Sequence, residues 1–120
     1  MLDLSKNKIP NIEVTVTALN LHESIFASLR HLKEIDLSSN LLTEFPIGLS
    51  KCVKLREVRL IHNGIKTIPL EFYESQTIQN SLEYLILNNN PLQELAAEIS
   101  RLKYLKTLGI ASSKVTKLPN

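Results

Sequence analysis

Apolar residues recur along most of the chain at one set of offsets, with polar residues at the positions between them. The clearest copy runs from Leu82 to Leu92 and reads L-x-x-L-x-L-x-x-N-x-L. Copies with the same offsets begin at Leu32 and Leu55, and a looser one, with serine in place of asparagine, begins at Leu105. The four copies begin 23, 27 and 23 residues apart, and a frame at a nearly constant interval predicts a repeat protein.

This frame resembles the leucine-rich repeat, whose units are roughly 20–29 residues long. The resemblance implies an α/β fold, a right-handed solenoid or horseshoe arc with a parallel inner sheet and irregular, 3₁₀ or helical segments on its convex side. We expect about five repeats in one leucine-rich repeat domain over residues 1–120, near 1–31, 32–54, 55–81, 82–104 and 105–120. The 23-residue spacing, with Phe45-Pro46 and Ile68-Pro69 after the asparagine, resembles the intracellular class that scaffolds signalling proteins.

The frame is cut at both ends of the chain. Leu2, Leu4, Asn7 and Ile9 fit it, so that the chain begins inside a repeat, and the fifth copy stops at Asn120. We therefore expect a solenoid that is uncapped at both ends, a fragment or truncated isoform. In isolation its uncovered leucines and sheet edges predict marginal stability and self-association.

Two segments depart from the regular units. Residues 12–17 alternate apolar and polar in the manner of a short strand, and apolar residues at three- and four-residue steps predict a helix over 22–32. The third unit carries four extra residues within 73–81, which we expect to form a loop.

The asparagine of each copy predicts a structural role. After the strand the chain must turn, which leaves backbone groups inside the solenoid that a sheet cannot pair. A side-chain amide can donate and accept at once, so we expect a buried ladder between successive units. Its members would be Asn7, Asn40, Asn63 and Asn90.

The polar positions of the frame predict a binding surface. Residues between the leucines of L-x-L point away from the core, and equivalent positions in neighbouring strands lie about 4.8 Å apart. Ile61, Tyr84 and Ile86 form an apolar group there among charged side chains, as in many protein-binding patches. The residues predicted to bind a protein on this concave face are Asp36, Glu57, Arg59, Ile61, His62, Tyr84, Ile86 and Asn88.

Other classes of function find little support in the residues. Three histidines at different repeat positions and three glycines predict neither a catalytic constellation nor a phosphate loop, so we expect no enzyme activity and no cofactor. Cys52 has no second cysteine for a disulfide or a metal site, and we interpret it as a small buried hydrophobe. A net charge of +2 and few aromatic residues argue against a nucleic-acid partner. The sequence contains no run of about 18 apolar residues, so we do not expect a membrane anchor.

We therefore predict a protein–protein interaction scaffold, in the cytoplasm because the chain has neither a cysteine framework nor an N-x-Ser/Thr acceptor. The partner is not specified by the sequence. One alternative is the recognition segment of a larger signalling enzyme, such as a kinase, a phosphatase assembly or a ubiquitin ligase. Another is an ectodomain fragment of an immune-type receptor.

Overall fold

A computed structural model describes residues 2–3 and 31–116, and their strands form one parallel sheet. Each strand is hydrogen-bonded to the next one along the chain, in the order β1 to β5. The strands are β1 (Leu2–Asp3), β2 (Glu34–Asp36), β3 (Glu57–Arg59), β4 (Tyr84–Ile86) and β5 (Thr107–Gly109). A parallel sheet of sequential strands, with helical turns between them, confirms the predicted α/β solenoid.

The strands are short because only the L-x-L part of each unit alternates with the period of two that a sheet needs. The central residue of each inner strand, Ile35, Val58 or Leu85, is paired in register with its neighbour and completely buried. Leucines on either side of the strands join the same core, because one unit alone cannot bury its apolar edge.

The segments opposite the sheet are helical turns. They are the 3₁₀ helices η1 (Ile47–Lys51) and η2 (Ala97–Arg101) and the α-helix α1 (Leu70–Glu74). Proline is the N-cap residue of both η1 and α1, a position whose own N–H makes no hydrogen bond within the helix, so its missing N–H costs nothing there. Phe45, just before η1, and Phe72 of α1 meet edge to face with ring centroids 4.6 Å apart and so pack two units together.

The extra residues of the third unit form a helix, so the loop that we expected is wrong. This helix, α2 (Gln76–Ser81), is capped by Ser75, whose hydroxyl accepts a hydrogen bond from the Ile78 amide. Ile78 is fully buried, and the Thr77 hydroxyl donates to the Ser50 carbonyl of the preceding unit. The Ser81 hydroxyl donates to the carbonyl of Leu55, where the third unit begins. The insertion therefore adds core contacts between the second and third units.

Some predictions fall outside the described residues. They are the strand over 12–17, nearly all of the helix over 22–32, the ladder position Asn7 and the end of the fifth unit.

Candidate protein-binding surface

The asparagines of the frame bridge successive units at the point where each strand ends. The Asn63 side-chain oxygen accepts from the Asn40 and Leu42 amides at 3.2 Å each, and its Nδ2 donates to the Leu37 and Leu60 carbonyls at 3.1 Å. Asn63 thus satisfies backbone groups of its own unit and of the unit before. The turn that follows each strand is therefore held at a constant geometry.

Asn90 repeats these contacts one unit further along. Its Nδ2 donates to the Leu60 and Leu87 carbonyls at 2.8 and 3.0 Å, and its oxygen accepts from the Ile65 amide at 3.1 Å. Asn40 and Asn90 are buried, whereas Asn63 is half-buried. Ser113 occupies the same place in the fifth unit, and its shorter side chain accepts a hydrogen bond from the nearby Val115 amide.

One residue before each ladder position, the backbone is left-handed. Ser39, His62, Asn89 and Ser112 all have φ between 56° and 60°. This conformation costs a side-chain-bearing residue free energy, least for short polar residues such as asparagine. The His62 amide still donates to the Asn88 carbonyl at 2.9 Å, so sheet-like pairing continues past the strand. His62 therefore has a backbone role besides its exposed side chain, which lies at the rim of the sheet.

The structure brings the predicted binding residues together on the solvent side of the sheet, which we call the concave face. One row runs Glu34, Glu57, Tyr84 and Thr107, and the next runs Asp36, Arg59, Ile86 and Gly109, as the strand register requires. Tyr84 and Ile86 are half-buried on β4, and Ile61 is half-buried beyond β3. The three apolar side chains thus belong to adjacent units.

Charged groups lie beside this apolar group. Arg59 is ion-paired with Glu57 on the same strand. The pKa of the Arg59 guanidinium is raised first by Glu57 and then by the nearby carboxylates of Asp36 and Glu34. Three carboxylates therefore surround one guanidinium at the β2–β3 end of the concave face.

A second set of charges borders the face just before the strands begin. Glu83 pairs with Arg56 at 3.0 Å and with Lys106 at 2.9 Å, and so joins three successive units. Hydrogen bonding and charge from Lys106 lower the pKa of the Glu83 carboxyl, with a further contribution from Arg56. The Arg56 guanidinium also lies 5.4 Å from the centre of the Tyr84 ring, within the range of a cation–π contact.

The side chains at the β5 end of the concave face are small and uncharged. The Asn88 side-chain oxygen accepts from the Ala111 amide at 3.1 Å, so this residue cross-links β4 and β5 beyond the strands. A Cβ on Gly109 would lie 2.6 Å from that oxygen and 3.0 Å from a methyl of Ile86. Glycine at this position therefore lets both side chains lean over the strand.

Two profiles of the family described as leucine-rich repeat match the sequence, one over residues 16–65 and one over residues 81–102. The chain belongs to the leucine-rich repeat family. A solved structure of a leucine-rich repeat protein from Leptospira interrogans is similar to it with a TM-score of 0.69 and 32% identity, over 81% of this chain and 24% of that protein.

Similar proteins of longer sequence share the repeat region. Leucine-rich repeat serine/threonine-protein kinase 1 of Caenorhabditis elegans is 36% identical over 94 residues, which are 77% of this chain and 4% of the kinase. Tsukushi of Gallus gallus is 28% identical over 120 residues, 99% of this chain and 30% of that protein. This leucine-rich repeat chain therefore spans less than a third of either relative.

Sequence reasoning missed Arg56, Glu83 and Lys106 as members of the surface. They occupy equivalent frame positions directly before their strands, with alternating sign along the row. This alternation of sign could have revealed the ion pairs, because equivalent positions of adjacent repeats are spatial neighbours.

Cys52 is completely buried, as predicted, and burial raises the pKa of its thiol to about 11. Within residues 31–116, no three histidine, cysteine or acidic side chains are grouped so as to hold a metal ion. In the part of the chain that the structure describes, no helix has the length and apolar character needed to cross a bilayer.

Proposed function

We propose that this chain is a protein-binding scaffold whose concave face holds a protein partner, and that it performs no catalysis itself. The observation that carries the proposal is the grouping of Ile61, Tyr84 and Ile86 beside Arg59. Apolar and aromatic side chains with a neighbouring arginine are the residue types that most often dominate interfaces. The ladder supports the proposal as well, because it holds the strands, and so these side chains, at fixed spacing.

A larger signalling enzyme is the second candidate setting. The similar Caenorhabditis elegans protein is a kinase, and the matched region is a small part of it. In that setting the concave face recruits a substrate or regulator while chemistry takes place elsewhere. We place the protein in the cytoplasm, a proposal supported by the single, buried cysteine.

The test compares two pairs of variants in capture experiments. The wild-type chain, a Tyr84→Ala/Arg59→Ala variant and a Glu71→Ala/Lys103→Ala variant would be immobilised and exposed to one cell extract, with bound proteins quantified by mass spectrometry. The first variant should lose a specific set of proteins at least tenfold, since truncating central interface residues typically costs about 2 kcal/mol or more. The second pair lies outside the concave face and is exposed, so it should retain them.

Circular dichroism and melting curves of every variant provide the folding control. Equal loss in both variants, or loss only in the Glu71→Ala/Lys103→Ala variant, would place the interface away from the concave face.

A further inference from the structure

The concave face is divided into an acidic part and an apolar part. On β2 and β3 the outward side chains are Glu34, Asp36, Glu57 and Arg59, three carboxylates against one guanidinium. On β4 they are Tyr84 and Ile86.

One guanidinium cannot neutralise three carboxylates, so the acidic part keeps negative charge that can attract a partner. Glu57 is engaged by Arg59, whereas Glu34 and Asp36 form no ion pair within residues 31–116. One oxygen of Asp36 accepts from the Ser38 amide at 2.9 Å, which orients the carboxylate without neutralising it. The acidic part therefore carries net negative charge at the side of an apolar patch.

The strand register sets the separation between the two parts. β2 and β4 are two strands apart, which corresponds to roughly 10 Å at about 4.8 Å per strand. That distance is spanned by about seven residues of an α-helix or about three residues of an extended segment. The β5 end, with Thr107, Gly109 and Ala111, adds no charge that would oppose either partner shape.

From this geometry we infer that the concave face selects a protein segment that carries a lysine or arginine about 10 Å from an apolar side chain. The basic group lies against Glu34 and Asp36, and the apolar group packs on Tyr84 and Ile86. Charge complementarity favours one direction across the strands, because the reversed orientation moves the basic group from the negative acidic part to Arg56, Glu83 and Lys106, which together are net positive. This inference rests on the proposed function and adds the chemical class and the orientation of the partner.

Selection from a peptide library tests the inference without knowledge of the natural partner. A phage-displayed library of random peptides of about twelve residues, long enough for either spacing, is selected on the full chain. Enriched peptides should combine a basic and an apolar residue at one of these spacings. One enriched peptide is then synthesised, and its dissociation constant is measured by fluorescence anisotropy.

The decisive comparison removes charge while keeping shape. Glu34→Gln/Asp36→Asn should weaken the peptide roughly tenfold, as expected for two partly exposed charge pairs together. Asp36→Asn retains the oxygen that accepts from Ser38. The matched control, Glu71→Gln/Glu74→Gln, removes two exposed acids from α1 and should leave the affinity unchanged. Asp36→Lys should recover affinity for a peptide whose basic residue is replaced by glutamate.

The outcomes separate this inference from the proposed function. Peptides without basic residues that still depend on Tyr84 and Ile86 would overturn the inference and leave the concave face as the binding site. Peptides that bind equally to a Tyr84→Ala/Ile86→Ala variant would contradict the proposed function itself. A library with no enrichment would overturn the inference, while the capture experiment would still judge the proposed function.

Discussion

At the scale of single residues, the contribution of a side chain to stability depends on whether it contacts one strand or bridges two units. Asn63 contacts backbone groups in two units through both ends of its amide. Asn88 has the same chemistry, but it accepts one hydrogen bond on the exposed face. Burial and the number of partners, more than residue type, should therefore rank the asparagines.

Asn63→Ala should lower the free energy of unfolding by roughly 1–2 kcal/mol more than Asn88→Ala, because the first leaves several backbone groups unpaired inside the turn. Urea denaturation followed by circular dichroism measures both values. Asn80→Ala, at an exposed position on α2, is the control for the removal of an exposed amide. Equal denaturation midpoints would show that the ladder hydrogen bonds contribute nothing particular.

The buried thiol of Cys52 should make the folded chain less stable at alkaline pH. Its thiol has a pKa raised by burial from 9.0 to about 11, so the unfolded chain releases the proton more readily than the folded chain does. The stabilisation is complete below pH 9 and is lost as the pH rises towards 11.

At pH 10 the expected loss from Cys52 is about 1 kcal/mol relative to neutral pH. Urea midpoints at both pH values would be compared between the wild type and Cys52→Ala, which should show a shallower pH dependence. Tyr73, whose pKa burial raises to about 12, shifts in the same direction and remains in both proteins. Identical slopes would contradict the role of the thiol.

At the scale of elements, the helix α2 shows that an insertion can join the core of a solenoid. The Thr77 hydroxyl donates to the backbone of the preceding unit and the Ser81 hydroxyl to that of Leu55, and Ile78 is among the completely buried side chains. An element held by a buried side chain and two hydrogen bonds stabilises its neighbours. It should behave as part of the second and third units rather than as a loop on their surface.

Ile78→Ala should therefore cost about 2–4 kcal/mol, the usual effect of truncating a buried isoleucine. The exposed Asn80→Ala on the same helix is the matched control and should change stability by less than about 0.5 kcal/mol. Both are measured by urea denaturation. A cost for Ile78→Ala as small as that of the control would mean that α2 opens independently of the core.

At the scale of the whole molecule, each unit is stabilised by its contacts with the units next to it. Each strand pairs only with the strands before and after it in sequence. Folding free energy in such a stack is approximately a sum of unit terms and neighbour terms. The same substitution should therefore have different effects at different places in the stack.

Leu85 and Leu108 occupy the same frame position on β4 and β5 and are paired in register, but Leu85 is completely buried and Leu108 is half-buried. Leu85→Ala should cost about 3 kcal/mol and Leu108→Ala less than about half of that. Amide hydrogen exchange should show that Leu108→Ala accelerates exchange chiefly in the fifth unit, whereas Leu85→Ala accelerates it on both sides of β4. Equal acceleration of amide exchange in all units of both variants would indicate that the units unfold together in one all-or-none step.

The sequence by itself determined the repeat, the strand positions, the candidate ladder and the rows of the concave face. Those features follow from local periodicity, since a frame that recurs at near-constant offsets places equivalent residues side by side. Ile61, Tyr84 and Ile86 could be grouped from the sequence for that reason.

Only the tertiary structure decided features that depend on side-chain reach and on the packing of neighbours. It paired Arg59 with Glu57, joined Arg56 and Lys106 through Glu83, and folded residues 76–81 into a helix. Flexible charged side chains can reach several partners from one frame position, and a helix as short as 76–81 is stabilised mainly by the tertiary packing of its buried residue. The left-handed backbone of His62 was decided in the same way, by the turn that follows the strand.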